Sequence, residues 1–549
     1  MKYFITLITL SAILLTVTFC KKEETVKPIG NIMIDSITID GIKVYDNGQI
    51  NHIGFKPNIK VYFDKPVDTV KIDTYNIYFS GDTYNNYTHQ FNTDSKVLSI
   101  IPNENLKPLT LYRFTVSQGK NLGGNIINGY SAKFFTKLDS TDKFEQISDD
   151  SLLTLIQHRT FKYFWDFAHP TSGLARERNT SGDIVTIGGS GFGIMAIIIG
   201  IERGFITRAE GINRFTTIVS FLKNADRFHG AWGHWYNGVT GKVYPFSTND
   251  NGGDLVETAF LVQGLITLRQ YLNPNDSAEN NLINQINELV NGVEWTWYTK
   301  GGEDVLYWHW SPTVGWAINM QIRGYNEALI VYVLAASSTT YPINASVYHS
   351  GWARNGAITN GKTFYGITLP VGFDYGGPLF FAHYSFLGLD PRNLSDNYAN
   401  YWQQNVNHTL INRQHCIINP GRYPLYSADC WGLTASDDNT GYGVHEPTRD
   451  IGVISPTAAL SSMPYTPEES KQVARFLYYK LGNKVWGEYG FYDAFNVNAN
   501  WWGTSYLAID QGPIAVMIEN YRSGLCWNLF MSAPEVKQGL SRLGFTTNK

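Results

Sequence analysis

Gly252-Gly253-Asp254-Leu255-Val256-Glu257-Thr258-Ala259-Phe260-Leu261-Val262-Gln263-Gly264-Leu265-Ile266-Thr267-Leu268, residues 252–268, reads as a turn that opens straight into an apolar helix. Leu255, Ala259, Val262 and Ile266 form one stripe at helical spacing, while Leu261, Leu265, Leu268 and Leu272 form a second. A helix that is apolar on two sides is buried on two sides, which places it inside the fold. Five further turns open in the same way: Gly188-Gly189-Ser190-Gly191, Gly324-Tyr325-Asn326-Glu327, Gly376-Gly377-Pro378, Ser455-Pro456 and Gly512-Pro513. A small or capping residue before the helix, with proline at its first position, marks an N-terminus because the first backbone N–H groups have no helical partner.

Between these openings lie amphipathic segments, 277–298, 390–412 and 467–481, whose acidic, Asn- and Lys-bearing faces suit an outer, solvent-facing layer. The inner-to-outer connection from Glu202 to Thr207 is short, whereas the outer-to-inner connections are long and rich in aromatics. Long insertions gathered on one face are what a helical-repeat architecture produces. The pattern predicts an (α/α)6 toroid, a double ring of helices with a funnel where the inner helices begin; an open helical solenoid is the alternative reading.

Ahead of the helical part, residues 30–137 alternate apolar and polar, as in Ile59-Lys60-Val61-Tyr62-Phe63 and Leu111-Tyr112-Arg113-Phe114-Thr115-Val116, with Gly, Asn, Asp and Pro between the runs. This is the period of half-buried strands and predicts an all-β sandwich. A polar link over 138–148 leads into the helical domain, 149–546, and all fifteen tryptophans lie beyond that link. The sandwich is therefore read as a spacer. The first twenty residues run from Lys2 through an apolar stretch to Val17-Thr18-Phe19-Cys20, a signal segment too short to span a membrane.

With 43 Lys and Arg against 47 Asp and Glu, the chain has a net charge of -4 and no basic stripe, which argues against nucleic acid and against an acidic polysaccharide as partner. Trp232, Trp235-Tyr236, Trp308-His309-Trp310, Trp316, Tyr375, Trp431, Trp486 and Trp501-Trp502 sit among Gly, Asn, Ser and Asp. Aromatic faces offer apolar area, and amides and carboxylates complete the hydrogen bonding of hydroxyl groups, so a neutral polysaccharide or oligosaccharide fits best. Cys416, Cys430 and Cys526 have no metal-ligand spacing, and Cys416 and Cys430 are left either bridged or free. Asp437-Asp438-Asn439 reads as a polar turn rather than a calcium site. No metal and no cofactor is expected, and the chain is expected to act as a monomer.

Carboxylates cluster at three openings: Asp250, Asp254 and Glu257 at one, Glu327 at another, and Asp510 just ahead of Gly512. Asp254-Leu255-Val256-Glu257 is also a capping box, and Glu327 would suit the positive end of a helix, so each has a purely structural explanation. The toroid, however, aims all of them into one aromatic-walled funnel. A crowd of carboxylates there supplies what glycoside cleavage needs, one group kept protonated and one kept ionised.

Asp250-Asn251-Gly252-Gly253-Asp254-Leu255-Val256-Glu257, Arg323-Gly324-Tyr325-Asn326-Glu327-Ala328 and Asp510-Gln511-Gly512-Pro513-Ile514 together resemble the glucoamylase-like domain family that includes glycoside hydrolase family 144. The resemblance covers residues 149–546 and implies an (α/α)6 barrel and inverting hydrolysis of β-1,2-glucan. It carries over to Asp250, Asp254 and Glu257 as the acidic cluster and to Glu327 as the later essential acid. Residues 30–137 resemble bacterial Ig-like modules. Cys20 resembles the lipidated cysteine of a bacterial lipoprotein box, with Phe19 departing from the usual small residue, and Lys21-Lys22-Glu23-Glu24, which opens the tether 21–29, resembles the tag of surface-exported Bacteroidota lipoproteins. These imply a lipid anchor at the outer membrane. The expected roles are Glu327 as general acid, a base drawn from Asp254, Glu257 and Asp510, and subsites formed by Trp232, Trp308, Trp502, Arg323, Arg176 and Tyr325. A glycan phosphorylase, a polysaccharide lyase and a non-catalytic glycan-binding lipoprotein remain as rivals.

Overall fold

The computed structural model describes residues 30–547 apart from 71, 73–75 and 81–85, so the signal segment, Cys20 and the tether lie outside the described residues. Two compact units meet in sequence between Lys137 and Leu138.

The first unit is strand-rich. One five-stranded sheet runs in the order Ile42–Val44, Ile34–Ile39, Ile59–Phe63, Val97–Pro102 and Tyr87–Phe91; a four-stranded sheet runs Gln49–Ile53, Tyr130–Thr136, Leu111–Val116 and Ile77–Ser80. Register follows the alternation: Val61 lies opposite Ile37 on one side and Leu98 on the other. Those residues, with Phe79, Phe114 and Phe134 of the second sheet, form one buried core. Lys60 and Tyr62 point the other way and stay partly exposed, as a period of two requires.

The second unit is helical. Its helices are α1 (Asp149–Trp165), α2 (Ile187–Glu202), α3 (Arg208–Asn224), α4 (Leu255–Tyr271), α5 (Ser277–Asn291), α6 (Leu329–Ser337), α7 (Tyr401–Ile418), α8 (Pro456–Leu460), α9 (Pro467–Arg475), α10 (Leu481–Val485), α11 (Ala508–Arg522), α12 (Leu525–Ser532) and α13 (Pro534–Arg542). Every residue of α2 from Ile187 to Gly200, of α4 from Leu255 to Leu268 and of the whole of α6 is buried. In α3 and α5 burial is confined to one stripe, such as Phe215, Ile218, Val219 and Leu222. The two-sided apolar pattern thus separates inner helices from outer ones. Among the inner elements, α2 packs on α4 and α11, α4 on α6, and α11 on α8. Glycine permits the tightest of these crossings. A Cβ at Gly191 would lie 2.2 Å from the Phe260 carbonyl oxygen, and one at Gly264 would lie 2.3 Å from that of Gly191.

Three openings differ from expectation. Gly188-Gly189-Ser190-Gly191 lies within the start of α2, which begins at Ile187, rather than ahead of it. After Gly376-Gly377-Pro378 the chain makes only short 3-10 turns, Leu379–Ala382 and Tyr384–Leu387. Side chains replace the missing helical bonds: Gln263 donates to the Tyr384 carbonyl and accepts from Gly388 N–H, and Asn520 donates to the Leu387 carbonyl. The last inner helix starts at Ala508, before Gly512-Pro513, so Pro513 sits inside it and Asp510 falls in its first turn. The Ala508 N–H is taken by the Glu177 carbonyl, which anchors the earlier start. The polar link is also more structured than its composition indicates: the Phe144 ring stacks on Tyr478, and Lys143 N–H donates to the Tyr479 carbonyl at 2.7 Å. Cys416, Cys430 and Cys526 are buried free thiols, so the first two are not bridged.

Candidate active site

The N-terminal end of α4 organises the site. Asp254 caps the helix, its Oδ1 accepting from the N–H groups of Val256 and Glu257 at 3.0 and 2.9 Å. Just before it, Gly253 and Asp254 pair with Trp310 and His309. Gly253 tolerates no side chain because a Cβ would lie 2.0 Å from the Tyr298 hydroxyl. Glu257, one turn into the helix, reaches the start of α2, where Gly188 N–H donates to its Oε2 at 2.7 Å. A Cβ on Gly188 would stand 2.6 Å from that oxygen, so the glycine is what lets the carboxylate approach the helix end.

Glu257 and Glu327 line one cavity of about 340 Å³. Its walls include Trp235, Trp308, Phe380, Tyr384 and Tyr442. Burial pushes the Glu327 carboxyl up to about 7, its own backbone N–H opposing the shift and Glu257 and Asp254 adding to it. Burial also raises Glu257 to about 7; His234 opposes the shift and Asp254 reinforces it. Asp254 behaves differently. Burial disfavours its charge, but His234 Nδ1 at 3.0 Å from Oδ2, together with His309, outweighs burial and holds it below the ordinary carboxylate range. His234 is pushed to about 9: burial works against its proton, and Glu257, Asp254 and Asp250 overcome that. At neutral pH the cluster is therefore an imidazolium held by Asp254, with two glutamates near their titration midpoints. Asp250 is buried, raised by burial and by Asp254, and lies 3.5 Å from His309 Nε2.

Asp510 stands behind the cavity wall, where the Tyr384 hydroxyl donates to its Oδ1 at 3.3 Å. Its charged neighbour is the buried carboxyl of Asp493. Asp493 Oδ2 accepts from Asp437 N–H at 2.6 Å, and Asp437 in turn holds Arg178 at the cavity edge. Burial and the neighbouring Asp493 raise Asp510 well above its usual range.

Of the six expected subsite residues, Trp308 lines the cavity. Trp232 is wholly buried, its Nε1 donating to the Leu222 carbonyl and its face covered by Arg227, so it is core. Tyr325 is buried too, its hydroxyl donating to Asn405. Trp502 stacks on Phe495 under Lys484, the Arg176 guanidinium lies over the Phe167 ring, and Arg323 is exposed. His234, His309, Asp493 and the Glu177–Arg178 ion pair were not singled out from the sequence. The histidines adjoin tryptophans in loops already marked as aromatic. Asp493 carries no local signal, since its partner is distant in the chain. Asp437 and Asp438 form a hairpin turn with Gly441 and Tyr442.

The family model described as "Putative glucoamylase" matches residues 319–534, and that of the bacterial Ig-like domain matches residues 46–136. A curated relative, the exo β-1,2-glucooligosaccharide sophorohydrolase (non-reducing end) of Parabacteroides distasonis, is 48% identical over 420 residues. The match covers 72% of this chain but spans only 58% of that relative's length. A Bacteroides uniformis crystal structure described in the same glucoamylase terms is 58% identical, with TM-score 0.72, over 74% of this chain and 99% of that one. The endo-β-1,2-glucanase of Chitinophaga pinensis, solved with sophorotriose and glucose, is 54% identical, with TM-score 0.72, over 73% of this chain and 99% of that one. A strand-rich Ig-like unit is thus followed by a helical unit that resembles these glucanase structures. The chain belongs to the glucoamylase-like family and resembles glycoside hydrolase family 144 within it.

Proposed function

We propose that this protein is a glycoside hydrolase that cleaves β-1,2-glucan with inversion, on an (α/α)6 toroid. The observation that carries the reading is that Glu257 and Glu327 line one aromatic-walled cavity and are both raised to about 7. The named activities of the two β-1,2-glucan hydrolases it resembles support the linkage. Neighbour order supports ring closure: α2, α4, α6, the turns over 379–387, α8 and α11 follow one another, and α11 returns to α2. The link between the 379–387 turns and the α8 region is made by His383 with Ser462 and by Tyr465 with the Ala382 carbonyl.

In this mechanism Glu327 keeps its proton through burial and gives it to the departing glycosidic oxygen. Glu257 is the base. It faces the cavity, and its charge is stabilised by Gly188 N–H and by His234. The water it activates attacks the anomeric carbon from the opposite face, an arrangement that needs carboxyl groups about 6.5–9.5 Å apart. Asp254 has its oxygens committed to the helix cap and to His234, which makes it a positioning residue. A second route to the base runs from Asp510 through the Tyr384 hydroxyl, because Tyr384 both lines the cavity and donates to Asp510.

Sugar release from β-1,2-glucan, with and without phosphate, and the anomer first formed test the reading. Phosphate-independent release of the α-anomer is expected; phosphate dependence or an unsaturated product would replace hydrolysis by phosphorolysis or elimination. We further propose anchoring at the outer membrane through Cys20, supported by the segment ahead of it and the charged tag behind it. Cys20→Ser is expected to leave the membrane fraction.

A further inference from the structure

A second hollow, of about 770 Å³, lies in the helical unit between the 294–304 segment, Trp316 and the 341–347 segment. It shares no lining residue with the acid-lined cavity. Its volume falls in the range of about 300–1,000 Å³ typical of small-molecule sites. Two aromatic side chains are open to solvent there, Trp297 at 39% and Tyr341 at 38% exposure. Singly exposed aromatics are ordinary, but these two line one hollow together, and apolar area gathered in one place with a polar rim marks a binding surface.

The Trp297 ring is held before any ligand arrives. The His229 ring stacks on it with centroids 3.6 Å apart and planes at 13°, and Trp310 meets it edge-on. His229 is itself fixed by Glu294 Oε2 at 3.1 Å from Nδ1. A braced platform loses little conformational freedom on binding. Around it stand hydrogen-bonding groups of mixed kind: Asp304, which accepts from Ser346; Glu303, which accepts from Tyr307; and Lys300, bound to Asn319. A carboxylate accepting one such bond has further lone pairs for ligand hydroxyls. Gly301 and Gly302, both at positive φ, leave open space where side chains would stand. Three carboxylates against one lysine disfavour phosphate and uronate, and the polar rim disfavours an apolar partner. A neutral, hydroxyl-rich chain satisfies every one of these features.

We propose that this hollow is a second glucan-binding site, which holds the polysaccharide while the acid-lined cavity cleaves it. The identity of the glucan rests on the β-1,2-glucanase reading.

The test uses the full chain with Tyr341→Ala and, separately, Trp297→Ala. On a Glu327→Gln background, native gels containing β-1,2-glucan polymer report binding without turnover. Each substitution is expected to reduce retardation, and on the active chain to raise KM for polymer roughly three- to tenfold. kcat on short β-1,2-gluco-oligosaccharides is expected to stay within about twofold. Trp297 also packs on Trp310, so Tyr341→Ala, with an unchanged melting temperature, carries the decision. Unchanged retardation and unchanged polymer KM in Tyr341→Ala would overturn the site. Gels with other neutral glucans separate the two readings. If β-1,2-glucan is not cleaved but another glucan retards the chain in a Tyr341-dependent way, the site stands and the substrate reading falls. If no neutral glucan gives Tyr341-dependent retardation, the site falls.

Discussion

Asp493 and Asp510 are neighbouring carboxyls in a region closed to solvent, and Asp493 pushes the titration of Asp510 upward. Asp493 Oδ1 and Asp510 Oδ2 are buried with no hydrogen-bond donor among the described residues, while the remaining oxygens accept from Asp437 N–H and the Tyr384 hydroxyl. Two buried carboxyls so placed disfavour each other's ionisation. Burial raises Asp493 to about 7 and, with the help of Asp493, takes Asp510 well above its usual range. Groups raised in the folded state bind protons that the unfolded chain has released, so their stabilisation is complete at low pH and is lost as pH climbs through the folded values. Chemical denaturation at pH 6 and pH 9 is therefore expected to show a loss of stability at the higher pH that Asp493→Asn reduces. An equal loss in that variant would show that the Asp493 carboxyl does not carry it.

Catalysis and helix capping separate at Glu327. Glu327→Gln is expected to lower turnover by roughly 10²- to 10⁴-fold and leave folding intact. A residue acting only on the helix dipole would cost at most about 1 kcal/mol of stability and leave turnover alone. Melting temperature and rate, measured together, decide between them.

The base is identified by the same pair of measurements. Glu257→Gln is expected to be stable and nearly inactive, with activity recovered when azide replaces the missing base and yields the α-glycosyl azide. Asp254→Asn is expected to lose stability as well as rate, because it weakens the partner of His234. If Asp510→Asn is the variant that azide rescues, the route through Tyr384 is the working one.

The pH profile of kcat/KM follows from two glutamates, each raised to about 7 by burial. Glu327 must be protonated and Glu257 ionised, so the rate falls on both sides of neutrality and the two limbs belong to the coupled pair. A narrow bell centred within about one unit of 7 is expected. A flat profile between pH 5 and 9 would rule out these groups as the acid and base.

The α2–α4 crossing gives a stability prediction independent of function. Gly191→Ala and Gly264→Ala each place a methyl far inside van der Waals contact with a backbone carbonyl in the facing helix, at 2.2 and 2.3 Å. Overpacking of this kind costs typically about 1–3 kcal/mol and more where backbone must move. A melting temperature unchanged in both variants would mean that the helices do not approach so closely.

Residue order alone determined the strand-then-helix division, the two-sided burial of α4, and the gathering of Asp250, Asp254 and Glu257 at one helix start. These rest on local periodicity and capping, which a short window of sequence contains in full. Burial also explains the misreadings. Trp232 and Tyr325 have the composition of sugar contacts, yet their rings face the core, since the direction a side chain takes in a loop depends on what packs against it. Only the tertiary structure brought Glu257 to Gly188, His234 to Asp254 and Asp493 to Asp510. In the first and last of these, residues far apart in the chain or in separate elements are joined by helix crossings and loop packing, and no local rule encodes where those place a carboxylate. The same packing sets the dielectric around each acid, so the identity of the carboxylates was legible from the chain while their protonation was decided by the fold.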